Sequence, residues 1–321
     1  MRRVEIFLSL LIFFIIPVFA KDYKPFLKID VKANAKDIVL GDNNQLVIGT
    51  DSSKLLVYDY DKKEFVKSIE IPKIKDFMGD TIDARVSSVD YLNGKYLLLS
   101  DSGIGGYADL RLHENNKTID IFTEKDKLPI IKARFVDNDT ILLGFLSNEV
   151  ALYSLKDKKM IYRKQLNQSK FSDFALNEDK SLAVFSCESG ENSLIETKTG
   201  KIIKVLKGLN VDNVYKIDIK KNIVACAGQD RRGSWYNIKS GKGDYIEGKF
   251  LIYATALSPD AKLIAFPLDE QNNIYIYNIS TKSRIAILKG QKSTLNTIIF
   301  KDNSTIFSAS DDNIVIMWKL N

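Results

Sequence analysis

The chain has 321 residues, 45% hydrophobic and 27% charged, with one histidine, two cysteines and a formal net charge of +6 at pH 7. Three Cys and His side chains are too few for a four-ligand structural zinc site, and a small positive excess scattered over many lysines lacks the concentrated basic face that nucleic-acid binding needs. One histidine also leaves hydrolytic triads and most acid–base schemes without their usual proton carrier.

The first elements in chain order are those of an export signal. Arg2 and Arg3 precede an apolar run over 6–16 broken only by Ser9; Pro17 follows, then Val18-Phe19-Ala20, which suits a signal peptidase. This predicts a cleaved signal peptide over 1–20, too short for a stable span, and a mature chain over 21–321. The residues after the arginine pair fit ordinary unfolded export better than the twin-arginine route. No cysteine follows the cleavage point, so a lipoprotein anchor is not available. No later apolar stretch approaches spanning length, so the mature protein is expected in the periplasm without stable membrane insertion. Removing Arg2, Arg3 and Glu5 leaves it 45 basic and 40 acidic residues.

From Tyr58 onward one unit recurs. Its late aromatic or aliphatic position falls at Tyr58, Leu112, Tyr153, Ile195, Tyr236, Tyr277 and Trp318, with spacings of 41, 42, 41, 41 and 41 residues after the second copy. A period of about 40–45 residues holding four short strands is the signature of a propeller blade. Strand-like runs bounded by turn residues place blade one over 37–71, two over 86–122, three over 132–166, four over 172–206, five over 214–247, six over 253–288 and seven over 295–320. Blade seven has only three strands of its own. Residues 25–31 form a strand-like run without a blade, and they are expected to close the ring as its outer strand, covering a sheet edge. The fold class predicted is therefore all-β: a seven-bladed β-propeller closed by its N-terminal strand.

Runs such as Ile314-Val315-Ile316-Met317-Trp318 do not alternate, as expected of sheets covered on both faces. Trp235 and Trp318 accordingly read as packing residues between blades. Two segments break the period: residues 72–85, about twelve residues longer than their counterparts, and the glycine-rich Asp101-Ser102-Gly103-Ile104-Gly105-Gly106-Tyr107. Cys187 and Cys226 occupy similar places on the second strands of adjacent blades. Export leaves two readings open for them, a disulfide or two buried thiols. His113 reads as a surface residue near a turn. The acidic pairs Asp311-Asp312 and Asp269-Glu270 read as turns, and no calcium-loop pattern occurs. Neither Ser102 nor Ser189 sits in a nucleophile elbow, and Gly103-Ile104-Gly105-Gly106 lacks the lysine and helix of a phosphate loop.

Ser308-Ala309-Ser310-Asp311-Asp312 followed by Ile316-Met317-Trp318-Lys319, and Ala256-Leu257-Ser258-Pro259-Asp260 before an apolar strand, resemble WD40 repeats. The resemblance extends over the mature chain, with departures. Leu206-Lys207-Gly208-Leu209 and Leu288-Lys289-Gly290-Gln291 keep the family's glycine and lose its histidine, so the usual histidine-centred network cannot form and the blades are expected to rely more on apolar packing. By the same analogy, both period-breaking segments and the loop holding Arg231 and Arg232 project on one face. Apolar anchors beside arginines are what protein interfaces favour, so Phe77, Met78, Asp80, Arg231 and Arg232 are the candidate partner-binding residues. The competing reading has Phe77 and Met78 plugging the channel mouth and the arginines in a solvated turn. In overall plan the chain is also similar to accessory proteins of periplasmic nitrate reductase. That likeness implies a non-catalytic, monomeric propeller with no cofactor, whose partner is a periplasmic reductase or its maturation factors. The alternative is a lactonase-like propeller hydrolase with a divalent metal held in the channel by Asp, Glu and Asn.

Overall fold

Strands that are apolar on both sides need cover on both faces, and sheets stacked around a ring supply it. The structure, a computed structural model, describes residues 20–320, so the signal peptide expected over 1–20 lies, but for Ala20, outside the described residues. Seven small antiparallel sheets form a seven-bladed β-propeller, and each inner strand touches those of the blades before and after it. Blade one runs outward through Ala35–Leu40, Gln45–Thr50, Lys54–Asp59 and Glu64–Glu70. The later inner strands are Val86–Leu92, Ile130–Phe135, Phe171–Leu176, Val214–Lys220, Ala256–Leu257 and Leu295–Phe300.

The core lies between blades. Trp318 is fully buried among Ile298, Ile306 and Ile316 of its own blade and Ala254 and Ile274 of blade six. Trp235 packs with Phe266 and Leu257 across the junction of blades five and six. Both tryptophans are packing residues.

Two blades add a buried hydrogen-bond network to this apolar packing, each centred on a carboxamide. In blade seven, Trp318 Nε1 donates to Ser308 Oγ (3.0 Å), and Ser308 donates to Gln291 Oε1 (2.8 Å). The amide of Gln291 donates to Ser310 Oγ and to the Ile314 carbonyl. In blade five, Asn210 donates to Asp230 (3.0 Å) and to the Arg232 carbonyl and accepts from Ser234. Gln291 and Asn210 are 4% and 2% exposed. A carboxamide both donates and accepts without a charge, so it links buried serines and backbone at no ionisation cost.

The ring closes as expected. Leu27–Asp30 pairs antiparallel with Ile314–Lys319, Leu27 opposite Met317 and Asp30 opposite Ile314. Ile29 and Val31 are buried there against Phe307, Val315 and Met317. An additional strand not anticipated from the sequence, Lys21–Tyr23, lies parallel to Arg284–Leu288 on the outer edge of blade six. The N-terminal segment thus crosses from blade six to blade seven. Gly290 lets it pass: a Cβ there would lie 2.8 Å from Pro25.

Candidate functional site

Two places stand out from the packed rim: a hairpin on one face, and the central channel. The long connection between blades one and two folds into a two-stranded hairpin, Ile74–Lys75 with Thr81–Ile82. Its turn is tied by Asp76, whose Oδ1 accepts from the backbone amides of Met78 and Asp80 at 2.9 Å each. Lys75 Nζ donates to Thr81 Oγ1 across the stem, and Lys73 pairs with Asp83 at its base. The glycine-rich loop of blade two braces it. Gly103, at φ +80°, sits so close that a Cβ would fall 2.2 Å from the Lys75 carbonyl, so only glycine fits there. Phe77 and Met78 stand at the tip, 92% and 72% exposed, with Ile104 and Ile82 also exposed nearby in the loop and stem. They do not plug the channel. Asp80 is exposed in the same turn.

Arg231 and Arg232 do not join this cluster. Arg231 lies just before the third strand of blade five and Arg232 opens it, and three blades separate them from the hairpin whichever way the ring is followed. Arg232 is spent locally: its guanidinium donates to the Leu209 carbonyl (3.0 Å) and lies over the Tyr245 ring. Arg231 is exposed, in the left-handed backbone region at φ 64°.

The channel is built from isolated charges in apolar inner strands. In six of the seven blades the inner strand shifts register by one residue just after its start. Such a bulge re-aims the strand, and in five of the six blades the residue after it lines the channel, Ser88 instead being buried against Ala133 and Arg134. Asp37, Ser88, Lys132, Asp173, Lys216 and Thr297 occupy that position; two residues on come Val39, Asp90, Arg134, Ala175, Asp218 and Ile299.

The channel-side amides of an inner strand have no partner strand, and aspartates of the preceding blade fill that need. Asp37 accepts from Val89 N (3.0 Å), Asp90 from Phe135 N (2.7 Å), Asp173 from Ile217 N (3.1 Å) and Asp218 from Leu257 N (2.8 Å). Each bond staples one blade to the next. The same carboxylates take cations: Arg134 reaches Asp37 at 2.8 Å, Lys132 reaches Asp173 at 2.6 Å, and Lys220 lies 3.3 Å from Asp218. Burial pushes Asp37 up, but Arg134, Lys216 and Lys132 outweigh it and hold its carboxyl below the ordinary range. Burial dominates at Asp90, whose carboxyl is raised. At Lys132, burial outweighs Asp173, and with Arg134 and Lys216 nearby its ammonium falls to about 8. The acids are thus occupied in stapling and pairing. Among the described residues no group of three or more His, Cys, Asp or Glu side chains converges as metal ligands.

No protein-family model matches the chain, and no curated protein matches it. The functional reading therefore rests on the hairpin and the channel themselves.

The remaining sequence candidates fall elsewhere. Cys187 and Cys226 are separate buried free thiols, not a disulfide. Alternation along the strand explains why. Val184 packs toward blade five and Phe185 toward blade three, so two residues further on Cys187 lies on the blade-three side, whereas Cys226 faces blade four. Burial pushes the Cys226 thiol up to about 12, which leaves it without thiolate character. A thiol reagent should accordingly find no fast-reacting group in the native protein and two after denaturation; one rapid thiol, or none in denaturant, would contradict this assignment. His113 is not at the surface. It is 9% exposed, with Nδ1 2.8 Å from Thr118 Oγ1, and burial lowers its basicity. Asp311 is taken by Lys36 and Asn296, and Asp269 by Asn273 and Tyr275. No helix among the described residues is long and apolar enough to cross a membrane.

Proposed function

We propose that this chain is an exported, non-catalytic propeller that holds or matures a partner protein in the periplasm, and that the partner docks on the 74–82 hairpin. The observation that carries this reading is the near-complete exposure of Phe77 and Met78 on a turn that is hydrogen-bonded and braced. A large apolar pair held out rigidly gains by being covered, and being preorganised it costs little entropy on binding. Cleavage after Ala20 fits the architecture, because it leaves the Lys21–Tyr23 strand whole. The blades resemble WD40 repeats, and the overall plan resembles that of the periplasmic nitrate reductase accessory protein NapL. A periplasmic reductase or one of its maturation factors is the partner class that likeness implies. The lactonase-like alternative gains no support from the channel, where all four aspartates already hold backbone amides.

Replacing Phe77 and Met78 together by Ser tests the docking site. Both side chains are exposed, so stability should change by no more than ~0.5 kcal/mol, while capture of the partner by the exported protein falls at least tenfold. Replacing Arg231 alone by Ser should leave capture unchanged. Undiminished capture by the well-folded Phe77→Ser, Met78→Ser variant would place the interface elsewhere. Mass spectrometry of the exported protein checks export itself: a chain retaining residues 1–20 would overturn it.

A further inference from the structure

We propose that the central channel is a binding site for a small amphipathic monoanion, a carboxylate with a short apolar tail. Its charged end would meet Lys216, and its tail would lie against Val39, Ala175 and Ile299. This site is independent of the hairpin.

The cavity has a volume of 370 Å³ and is lined by inner strands of all seven blades. At about 30 Å³ per water molecule it holds roughly a dozen waters, the space of a small organic acid rather than of a polymer. Its lining runs from the level of Asp37 and Lys132 to Leu40, Leu176 and Phe300, where the inner strands end. The hairpin, just ahead of an inner strand, belongs to the other face.

Charge is not balanced within this space. Asp37 is matched by Arg134, Asp173 by Lys132 and Asp218 by Lys220, while Lys180 donates to the Phe135 carbonyl. Lys216 is only part-buried, lines the cavity, and makes no ion pair or side-chain hydrogen bond among the described residues. Counted over the lining, Lys132, Arg134, Lys180, Lys216 and Lys220 stand against Asp37, Asp90, Asp173 and Asp218, five cations to four carboxylates, an excess of one. Lys216 also acts on Lys132 from across the channel and makes that ammonium harder to keep charged. One uncompensated cation among like charges calls for one negative charge. A second full charge would have no partner, so the complement is a monoanion rather than phosphate. Apolar and charged positions are interspersed around the ring. Blades two, three and five present Asp90, Arg134 and Asp218, whereas blades seven, one and four present Ile299, Val39 and Ala175, all partly exposed to the cavity. These apolar walls would otherwise face water, and covering them favours a ligand with a hydrocarbon part by about 0.8 kcal/mol per buried CH₂.

The test is calorimetric titration of the mature chain with hexanoate, acetate, inorganic phosphate and hexylammonium, alongside thermal melts. Hexanoate should bind once per chain, raise the Tm, and bind at least tenfold tighter than acetate or phosphate. Lys216→Gln and Lys216→Met break no ion pair or side-chain hydrogen bond, and Arg134 still holds Asp37, so both should fold as the parent does and lose at least tenfold in hexanoate affinity. The Phe77→Ser, Met78→Ser variant should bind hexanoate as the parent does. Unchanged affinity in both Lys216 variants would remove Lys216 from the site. Equal binding of acetate and hexanoate would overturn the apolar part, and preference for hexylammonium would overturn the charge assignment. Saturation by none of the four overturns the proposal outright on the parent protein, whatever the variants do.

Discussion

Removing residues 24–31 is expected to leave a chain that is mostly unfolded or aggregated. The deletion strips blade seven of its outer strand, exposes the edge of Ile314–Lys319, and takes Ile29 and Val31 out of the core they share with Phe307 and Met317. Truncating a buried aliphatic side chain costs about 2–4 kcal/mol, so losing two together with their strand pairing approaches the whole stability of a typical domain, about 5–15 kcal/mol. Ile29→Ala offers a milder version: it should keep the ring closed and lower stability by about 2–4 kcal/mol. Denaturant melts and size-exclusion chromatography read both effects. If the deletion melts with the parent, the N-terminal strand does not support the ring.

Arg134→Met should be the most damaging single change in the channel, at about 3–5 kcal/mol, because it leaves the buried Asp37 carboxylate without its guanidinium. The pH dependence gives this prediction a sign. In the parent, Asp37 titrates below its ordinary 3.8, so its stabilisation is fully present above that value and fades only as pH falls through the lower folded value. In the variant burial loses its main opponent, and the carboxyl shifts upward. The folded state then gains by taking up a proton, and the defect should be largest at pH 7 and shrink as pH falls toward 5. Asp37→Asn combined with Arg134→Met should recover much of the loss at pH 7. Urea melts at the two pH values suffice. A loss under about 1 kcal/mol at pH 7, or one that grows on acidification, would show that the pair does not carry the stability assigned to it.

The ring was legible because its signal is repeated. Seven copies of a late apolar position, strands apolar on both sides, and one orphan run at 25–31 leave little choice of architecture, and closure by that run is what the structure shows. The channel was not read from the sequence. Its charges are single residues, such as Asp37 in Ala35–Leu40 or Lys216 in Val214–Lys220, and adjacent members lie some forty residues apart. Their signal was a lone charge at an equivalent place in otherwise apolar strands. Gln291 was hidden for a related reason: a single carboxamide beside a glycine and a lysine carries no mark of burial in the sequence. His113 was misplaced because a polar residue near a turn looks exposed, yet it lies on the third strand of blade two, opposite Tyr96 and covered by the outermost strand. The two-residue strands of the 74–82 hairpin are too short for any periodicity, and the extra strand at Lys21–Tyr23 is polar throughout its first two residues.

The clasp between blades six and seven also sets the order in which the molecule can be finished. Its partners are made far apart in time: Asn313 Nδ2 bonds Asp30 across 283 residues of chain. Blades one to five each draw their strands from one continuous stretch of chain, and blade six its four inner ones, so these can assemble as that stretch emerges, but blade seven is complete only when Leu27–Asp30 meets Ile314–Lys319. Until then the edge of Ile314–Lys319 and the apolar side chains beneath it stay open to other chains. Closing a loop of that length is slow compared with pairing neighbouring strands. The hazardous interval in this protein's life is therefore the one between the appearance of Ile314–Lys319 and its pairing with Leu27–Asp30, when the other blades stand as an open arc beside an incomplete seventh.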